Sequence, residues 1–210
     1  MTATPGNLFI IRAPSGAGKT SLVKALLQTG IDLSLSVSYT TRPARTEEVE
    51  GQDYHFISRE DFEQRQNQDD FLESAQVYGN FYGTSKNWIN QAITAGRDIL
   101  LEIDSQGARQ VRSIFPHAVA IFVLPPSLAA LEIRLRQRAQ DSLEAIGRRL
   151  AAARQEINHV REYDYVIINE ELNNASQELR CIVQAERLRM ARQLSRHRDL
   201  ITQFGSISAS

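Results

Sequence analysis

The sequence predicts an α/β protein with a three-layer core, in which helices cover both faces of a parallel sheet. Two observations favour this fold class. Short apolar runs of strand length recur along the chain, and most of the stretches between them are long enough for a crossover helix. The runs are Leu8–Ile11, Leu33–Val37, Ile99–Ile103, Val119–Leu124 and Tyr165–Ile168.

A glycine-rich loop, residues 13–20 with the sequence APSGAGKT, follows the first predicted strand and opens a helix. Strand, loop and helix in this order are the context in which a P-loop binds a nucleoside triphosphate. Gly16 and Gly18 let backbone N–H groups face the phosphates, Lys19 adds a positive charge, and Thr20 offers a hydroxyl to magnesium. The loop begins with an alanine where the general motif has glycine, so we expect a negative φ there. The candidate triphosphate-binding residues are Pro14, Ser15, Gly16, Ala17, Gly18, Lys19, Thr20 and Ser21.

The stretch from residue 38 to 94 departs from the alternation of strands and helices. It contains two possible strands, Tyr54–Ile57 and Phe71–Val77, followed by a predicted turn region at residues 78–84. We interpret this stretch as an inserted mixed β/α subdomain.

Helical patterns dominate the second half of the chain. Leu128–Arg138 and Leu143–Tyr163 form a predicted pair that could move as a lid, and Leu172–Arg198 is expected to be one long terminal helix. The expected division is residues 1–37, 95–133 and 164–210 for the core, 38–94 for the subdomain, and 134–163 for the lid and its return helix.

The composition is that of a globular protein. The chain has 210 residues, of which 42% are hydrophobic and 23% charged, with a net charge of −1. This balance gives no overall basic field for nucleic acid or a membrane. The single cysteine, Cys181, cannot form an intramolecular disulfide and is expected to be a small buried hydrophobe. With no signal peptide or bilayer-spanning apolar run visible, the cytoplasm is the expected location.

Further motifs accompany the phosphate loop in a fixed order. They are SVSYTTRPAR at 36–45, GQDYHF at 51–56, Glu73 before YGNFYGT at 78–84, LEIDSQG at 101–107, and Asp141-Ser through Arg148-Arg-Leu150. Together with the loop they resemble guanylate kinases over about residues 7 to 184. The resemblance implies transfer of the γ-phosphoryl group of ATP to GMP with Mg²⁺ as cofactor, a P-loop core, an inserted GMP-binding subdomain and a helical lid.

Arg42 and Arg45 lie three residues apart in a loop, where two planar guanidinium groups can bind a phosphate bidentately. The resemblance implies that these arginines, with Tyr54 and Tyr82, bind the phosphate of GMP. It also implies that Glu73 and Asp104 read the guanine base through its N1–H and amino group, and that Ser38 and Thr84 lie near its O6 and N7. The expected GMP-binding residues are Ser38, Arg42, Arg45, Tyr54, Glu73, Tyr82, Thr84, Glu102, Asp104 and Arg149.

Local pattern alone leaves other interpretations open. Arg42 and Arg45 could form a solvated basic turn that Glu48 and its two neighbouring glutamates neutralise. Glu73 could equally be an exposed acid on a strand. For Glu102, at the end of a buried strand, we favour a role near the magnesium water shell or the phosphate loop.

Arginines are concentrated in the predicted lid. The resemblance implies that Arg134, Arg138 and Arg149 close on the triphosphate and the transferring group, where fixed positive charge stabilises developing negative charge. Arg134 and Arg138 are thus added to the ATP site, whereas Arg136 and Arg148 are expected to be solvated. The expected catalytic residues are Lys19, Arg42, Arg138 and Arg149.

Five more arginines lie between residues 185 and 200. No aromatic side chains alternate with them as in a nucleic-acid-binding surface, so a solvated helix face or a subunit contact is favoured. The oligomeric state stays open.

Two other functions would fit parts of the pattern. A non-catalytic interaction module of the same family tends to lose the loop or the acceptor groups, whereas Lys19, Thr20, Arg42 and Glu73 are all present. A sugar-phosphate kinase with the same loop would have no guanine edge for Glu73 to satisfy. We therefore expect an ATP:GMP phosphotransferase, with dGMP as an open alternative acceptor and no nucleic-acid or membrane partner.

Overall fold

The computed structural model describes residues 4–77, 79–137 and 143–204, and it confirms the predicted fold class. All five apolar runs contribute a strand to one parallel sheet. Its strands are β1 (Leu8–Arg12), β2 (Ser34–Leu35), β7 (Ile99–Glu102), β8 (Val119–Leu124) and β9 (Tyr165–Ile168), and they lie in the order β2-β7-β1-β8-β9.

A second sheet lies between β2 and β7 in the sequence, as the mixed insertion predicts. It consists of β3 (Tyr39–Thr40), β4 (His55–Phe56), β5 (Phe71–Val77) and β6 (Asn80–Ser85) in the order β4-β3-β6-β5. The β3–β4 pair is parallel, and β6 is antiparallel to both of its neighbours.

The predicted turn at 78–84 is wrong for residues 80–84, which belong to strand β6. Gly83 contributed to the turn prediction, but its lack of a side chain serves packing. A Cβ atom there would lie 2.9 Å from Cδ1 of Phe71 and 3.1 Å from Cζ of Phe62. The glycine therefore makes room for two aromatic rings inside the sheet.

The helices of the described chain surround these sheets. They are α1 (Lys19–Gln28), α2 (Arg59–Asn67), α3 (Lys86–Thr94), α4 (Ser105–Ile114), α5 (Leu128–Gln137), α6 (Leu143–Glu156), α7 (Leu172–Arg187), α8 (Met190–Arg196) and α9 (Arg198–Phe204), with a 3₁₀ helix at Ile157–Glu162. None of them is both long enough and apolar enough to span a membrane.

Alternate residues of the central strand β1 face the two helical layers. Phe9 and Ile11 pack with α1 and α7 on one face of the sheet, and Leu8 and Ile10 pack with α3 and α4 on the other. This alternation follows from the two-residue period of a strand. Both faces are covered, as the continuous apolar sequence of β1 requires.

Two helices end earlier than the sequence predicts. The helix expected over 143–163 tightens into the 3₁₀ turn after Glu156, which is common at the C-terminal end of an α-helix. The helix expected over 172–198 ends at Arg187, where Nε donates to the buried carboxylate of Asp98 at 2.6 Å. Beyond that point Gln193 Nε2 donates to the Arg187 carbonyl oxygen at 2.9 Å, and Met190, which the predicted long helix would have included, is 76% exposed.

Cys181 is exposed, which corrects the prediction that it is buried. The buried face of α7 contains Ala175, Leu179 and Val183, spaced four residues apart. Cys181 lies two residues after Leu179 and therefore points away from that face.

The C-terminal arginines mostly make contacts within the chain. Besides the Arg187–Asp98 pair, Arg189 pairs with Glu186 at 2.7 Å, and Arg192 donates to the carbonyl of Pro5 at 2.8 Å. The expectation of a solvated face is therefore wrong for Arg187, which fastens the end of α7 to the sheet.

Candidate active site

The loop between β1 and α1 has the backbone of an anion-binding turn. Gly16 and Gly18 adopt φ values of 93° and 92°, and Ala13 is not among the described residues with positive φ, as expected. The N-terminus of α1 has no side-chain cap. Its first N–H groups are therefore available to an anion such as a phosphate.

Lys19 and Glu102 meet at the mouth of this loop. Lys19 Nζ lies 3.3 Å from Glu102 Oε1, and the two side chains are 25% and 22% exposed. Strand β7, which ends at Glu102, pairs with β1, so the carboxylate lies at the carboxyl edge of the sheet where ligands of such folds bind. Thr20 is exposed in the first turn of α1. A charge pair and an exposed hydroxyl thus lie beside the anion-binding turn.

Asn169 supports the loop from behind, and the sequence analysis missed it. This buried residue follows β9, and its Nδ2 donates to the carbonyl of Ala17 at 2.8 Å. A Cβ atom at Gly18 would lie 2.4 Å from the same amide, so glycine is required there for space as well as for φ. A polar residue directly after a buried strand was the signal that could have found it.

Arg134 lies on the same supporting side. Its guanidinium donates to the carbonyl oxygen of Asn169 at 2.9 Å and lies 3.4 Å from that of Ala17. These contacts join α5 to the loop, as does the packing of Leu131 and Leu135 against Gly16.

A cluster of arginines and tyrosines lies in the inserted subdomain. Arg42 NH2 donates to both carboxylate oxygens of Glu48 at 2.7 and 2.9 Å, and the backbone N–H of Arg45 donates to the same carboxylate. The Arg42 guanidinium lies 5.4 Å from the ring centroid of Tyr54, and the ring centroids of Tyr54 and Tyr82 are 5.9 Å apart. The four predicted phosphate ligands are therefore brought together. Glu48, which the sequence analysis treated only as a neutralising acid, holds the Arg42 guanidinium in place through these hydrogen bonds.

This cluster adjoins the phosphate loop. Burial raises the pKa of Tyr54, and the nearby Tyr82 and Glu102 raise it further. Glu102 also contacts Lys19. One carboxylate therefore lies close to both the loop and the arginine–tyrosine cluster.

Glu73 and Thr84 form a buried polar pair in the subdomain sheet. They are cross-strand neighbours on β5 and β6, and Thr84 Oγ1 donates to Glu73 Oε1 at 2.6 Å. Glu73 is only 4% exposed, which excludes the alternative of a surface acid. Its pKa is raised from 4.5 to about 7, chiefly by burial and to a smaller extent by the charge of Asp104, against the lowering effect of the Thr84 hydrogen bond.

Asp104 caps helix α4 next to this pair. Its Oδ1 accepts from the backbone N–H of Gly107 at 2.8 Å. The raised pKa of the buried Glu73 carboxyl, beside Asp104, makes it a candidate functional group.

The other predicted residues are distributed as follows. Ser38 is half buried just before β3, Arg45 is exposed, and Arg149 is half buried on α6. Arg136 and Arg148 are exposed and pair with Glu132 and Glu144 of their own helices, which confirms them as solvent-facing. Arg138 lies outside the described residues.

The fold and the loop geometry define a P-loop protein with a second polar site near the phosphate loop, which is the arrangement of a nucleotide kinase. The guanylate kinase family model matches residues 5–186. The chain therefore belongs to the guanylate kinase family and is an enzyme, a nucleoside monophosphate kinase.

Individual relatives agree with this assignment. A guanylate kinase of Nitrosospira multiformis is 71% identical over 97% of both chains, and one of Nitrosomonas europaea is 56% identical over 94% of this chain and 98% of its own. Among solved structures, guanylate kinase from Anaplasma phagocytophilum superposes with a TM-score of 0.80 at 32% identity, covering 99% of this chain and 100% of its own.

Proposed function

We propose that this enzyme transfers the γ-phosphoryl group of ATP to GMP, giving ADP and GDP, and that the pockets described above bind the two nucleotides. The observation that carries the proposal is the buried Glu73–Thr84 pair. A carboxylate can accept from the adjacent N1–H and amino group of guanine, whereas adenine lacks the N1–H. Placing adenine there would leave the buried carboxylate unpaired, at a cost of about 1–3 kcal/mol or more.

The donor site would be the loop residues 14–21, with Arg134 and Arg138 completing it from the lid. The acceptor phosphate would bind Arg42, Arg45, Tyr54 and Tyr82, in exchange for part of the Arg42–Glu48 pairing. Ser38, Asp104 and Arg149 complete the proposed GMP site. The division into core, subdomain and lid at residues 38, 95, 134 and 164 is part of this proposal.

Mg²⁺ fits the residues at the loop. In the described part of the chain, no three His, Cys, Asp or Glu residues form a group that could hold a metal alone. Mg²⁺ in kinases is held by one or two side chains together with substrate phosphates, and the exposed Thr20 hydroxyl suits that role. Glu102 Oε1 has an ion pair with Lys19 but no hydrogen bond, and it could accept from a metal-bound water. When bound, the ion would offset the charge of the triphosphate.

The chain's own residues would align the two phosphates. Lys19 and the N-terminus of α1 hold the donor, and Arg42 with Tyr54 and Tyr82 hold the acceptor in line. An oxygen of the GMP phosphate forms the new bond to the γ-phosphorus as the bond from that phosphorus to the β–γ bridging oxygen breaks. The acceptor oxygen is already ionised, so no general base is needed. Arg138 and Arg149 would neutralise charge on the transferring group.

An acceptor assay tests this proposal. With ATP and Mg²⁺, we expect rapid ADP formation with GMP and conversion of GMP to GDP, and little reaction with AMP, CMP or UMP, measured by chromatography of the products. Turnover of dGMP compared with that of GMP shows whether the acceptor requires a 2′-hydroxyl group. EDTA in excess over Mg²⁺ is the control and should abolish turnover. Equal turnover of AMP and GMP would contradict the assigned base pocket.

The raised pKa of Glu73 predicts a pH dependence of GMP binding. Below about pH 7 the carboxyl becomes protonated and loses its capacity to accept from the guanine N1–H, so the Kd for GMP should rise as the pH falls from 8 to 6. Calorimetric titration of GMP at several pH values measures this. In Glu73→Gln the residue no longer titrates, so only the milder dependence from the GMP phosphate should remain. Parallel profiles for the two proteins would argue against the assignment.

A further inference from the structure

We infer that Gly107 is a specificity-determining residue, because its missing side chain leaves the space that the Glu73 carboxylate occupies when it reads the guanine edge. The inference rests on the proposed function of Glu73. Gly107 is buried in the first turn of α4, three residues after Asp104.

The contact is tight at one atom. A Cβ atom built on Gly107 would lie 2.4 Å from Glu73 Oε2 and 3.1 Å from Glu73 Cδ, whereas the nearest atom of Ile103 would be at an ordinary 3.4 Å. A methyl group there would have to displace the carboxylate by about 1 Å to reach normal van der Waals distance.

The backbone gives no other reason for a glycine at this position. Gly107 is not among the residues with positive φ, and it lies inside a helix. Alanine in a helix interior is favoured over glycine by about 1 kcal/mol. Its N–H, which donates to Asp104, would be retained by alanine. Space for Glu73 is the requirement that alanine would violate.

Neither partner can withdraw easily. Glu73 Oε1 is held by Thr84, which is fully buried. Helix α4 is also held against β5 at Ser74, the residue after Glu73. The side chain of Gln110 accepts from the N–H of Ser74 at 3.1 Å and donates to its carbonyl oxygen at 2.9 Å. The clash should therefore be relieved by rotation or displacement of the Glu73 carboxylate, the group that must align with two donors of guanine.

Gly107→Ala should raise the KM for GMP by about 10- to 100-fold, since a displacement of 1 Å spoils hydrogen-bond alignment. The KM for ATP should stay within about twofold. The ratio of kcat/KM for GMP to that for IMP, which lacks the amino group, should fall, because the displaced carboxylate no longer accepts a hydrogen bond from that group. A merely structural role in α4 would not change this ratio.

The test uses Gly107→Ala, Glu73→Asp and the double variant, with Gly147→Ala as a matched control. Gly147 lies on α6, and a Cβ atom there would meet nothing within 4 Å. The side chain introduced by Glu73→Asp is shorter by one methylene and would restore room for the new methyl group. We expect the double variant to lose at least fivefold less kcat/KM for GMP than the product of the two single losses. Multiplicative losses, or a Gly107→Ala variant that behaves like Gly147→Ala, would overturn the inference.

Failure of the inference and failure of the proposed function give different results. If Glu73→Gln impairs GMP turnover while Gly107→Ala behaves like its control, only the role of Gly107 is refuted. If Glu73→Gln has no effect on GMP, the base pocket itself is misplaced. If Gly107→Ala is too unstable to assay, melting temperatures provide the test. A clash between the new methyl group and Glu73 predicts a higher melting temperature for the double variant than for Gly107→Ala alone. An equal or lower melting temperature would overturn the inference.

Discussion

Lys19→Ala should lower kcat by about 100- to 1,000-fold while the protein stays folded. The side chain is a quarter exposed and touches Glu102, so its removal should change the free energy of unfolding by about 1 kcal/mol or less. Its charge lies where the β- and γ-phosphates would bind, and loss of one preorganised group of this kind typically costs a factor of that size. Steady-state kinetics with saturating ATP and GMP, together with thermal unfolding, measure both effects.

Lys24→Ala is the matched control, because Lys24 is exposed on the same helix and lies five residues after Lys19, on a different side of the helix from it. It should retain the kcat and the melting temperature of the parent. Full turnover in Lys19→Ala with unchanged ATP affinity would remove the phosphate-loop assignment. A general loss in both variants would point to damage of α1.

Glu73→Gln should lower kcat/KM for GMP by roughly 30- to 1,000-fold, which corresponds to about 2–4 kcal/mol. The glutamine keeps the shape and can still accept from Thr84 through one oxygen, so the pocket should stay intact. Its amide group, however, would face a guanine donor with another donor. The KM for ATP should hardly change, because the loop that holds the triphosphate lies elsewhere.

The stability of this variant separates a binding defect from a folding defect. The pKa of Glu73 lies near 7 in the folded protein, above its usual value of 4.5, so ionisation of the buried carboxyl costs stability as the pH rises from about 4.5 to 7. Above pH 7 the neutral glutamine should therefore not lower the melting temperature. Glu60→Gln, an exposed acid on α2 of the same subdomain, should retain GMP turnover. Parental activity of Glu73→Gln on GMP would show that the guanine pocket is elsewhere.

Several parts of the molecule were predictable because their chemistry is contained in short stretches. The phosphate loop needs only contiguous residues, and Gly16, Gly18 and Lys19 adopt the arrangement that their types require. The core strands were recognised because strands buried on both faces are continuously apolar. The pairing of Arg42 with Glu48, six residues later, was also considered from the sequence. The sequence could not show whether Glu48 merely neutralises Arg42 or holds its guanidinium in one orientation.

Several of the errors share one cause, which is contact between distant segments. The end of α7 depends on Arg187 meeting Asp98, 89 residues away, and helical periodicity does not show where such an anchor lies. Gly83 is a typical turn residue by sequence, and only its contact with the rings of Phe62 and Phe71 in the folded chain shows that it serves packing. Asn169 supports a loop 152 residues earlier in the chain.

The sequence by itself determined the parallel core and the phosphate loop, because these follow from local periodicity and from motif chemistry. The residues for the GMP phosphate and the guanine base were named from the resemblance to guanylate kinases. Only the tertiary structure decided that Glu73 is buried rather than exposed, that its pKa lies near 7, and that Gly107 borders its carboxylate. The physical reason is that burial and steric contact arise when β5, β6 and α4 are packed together. No one of these segments contains the information alone.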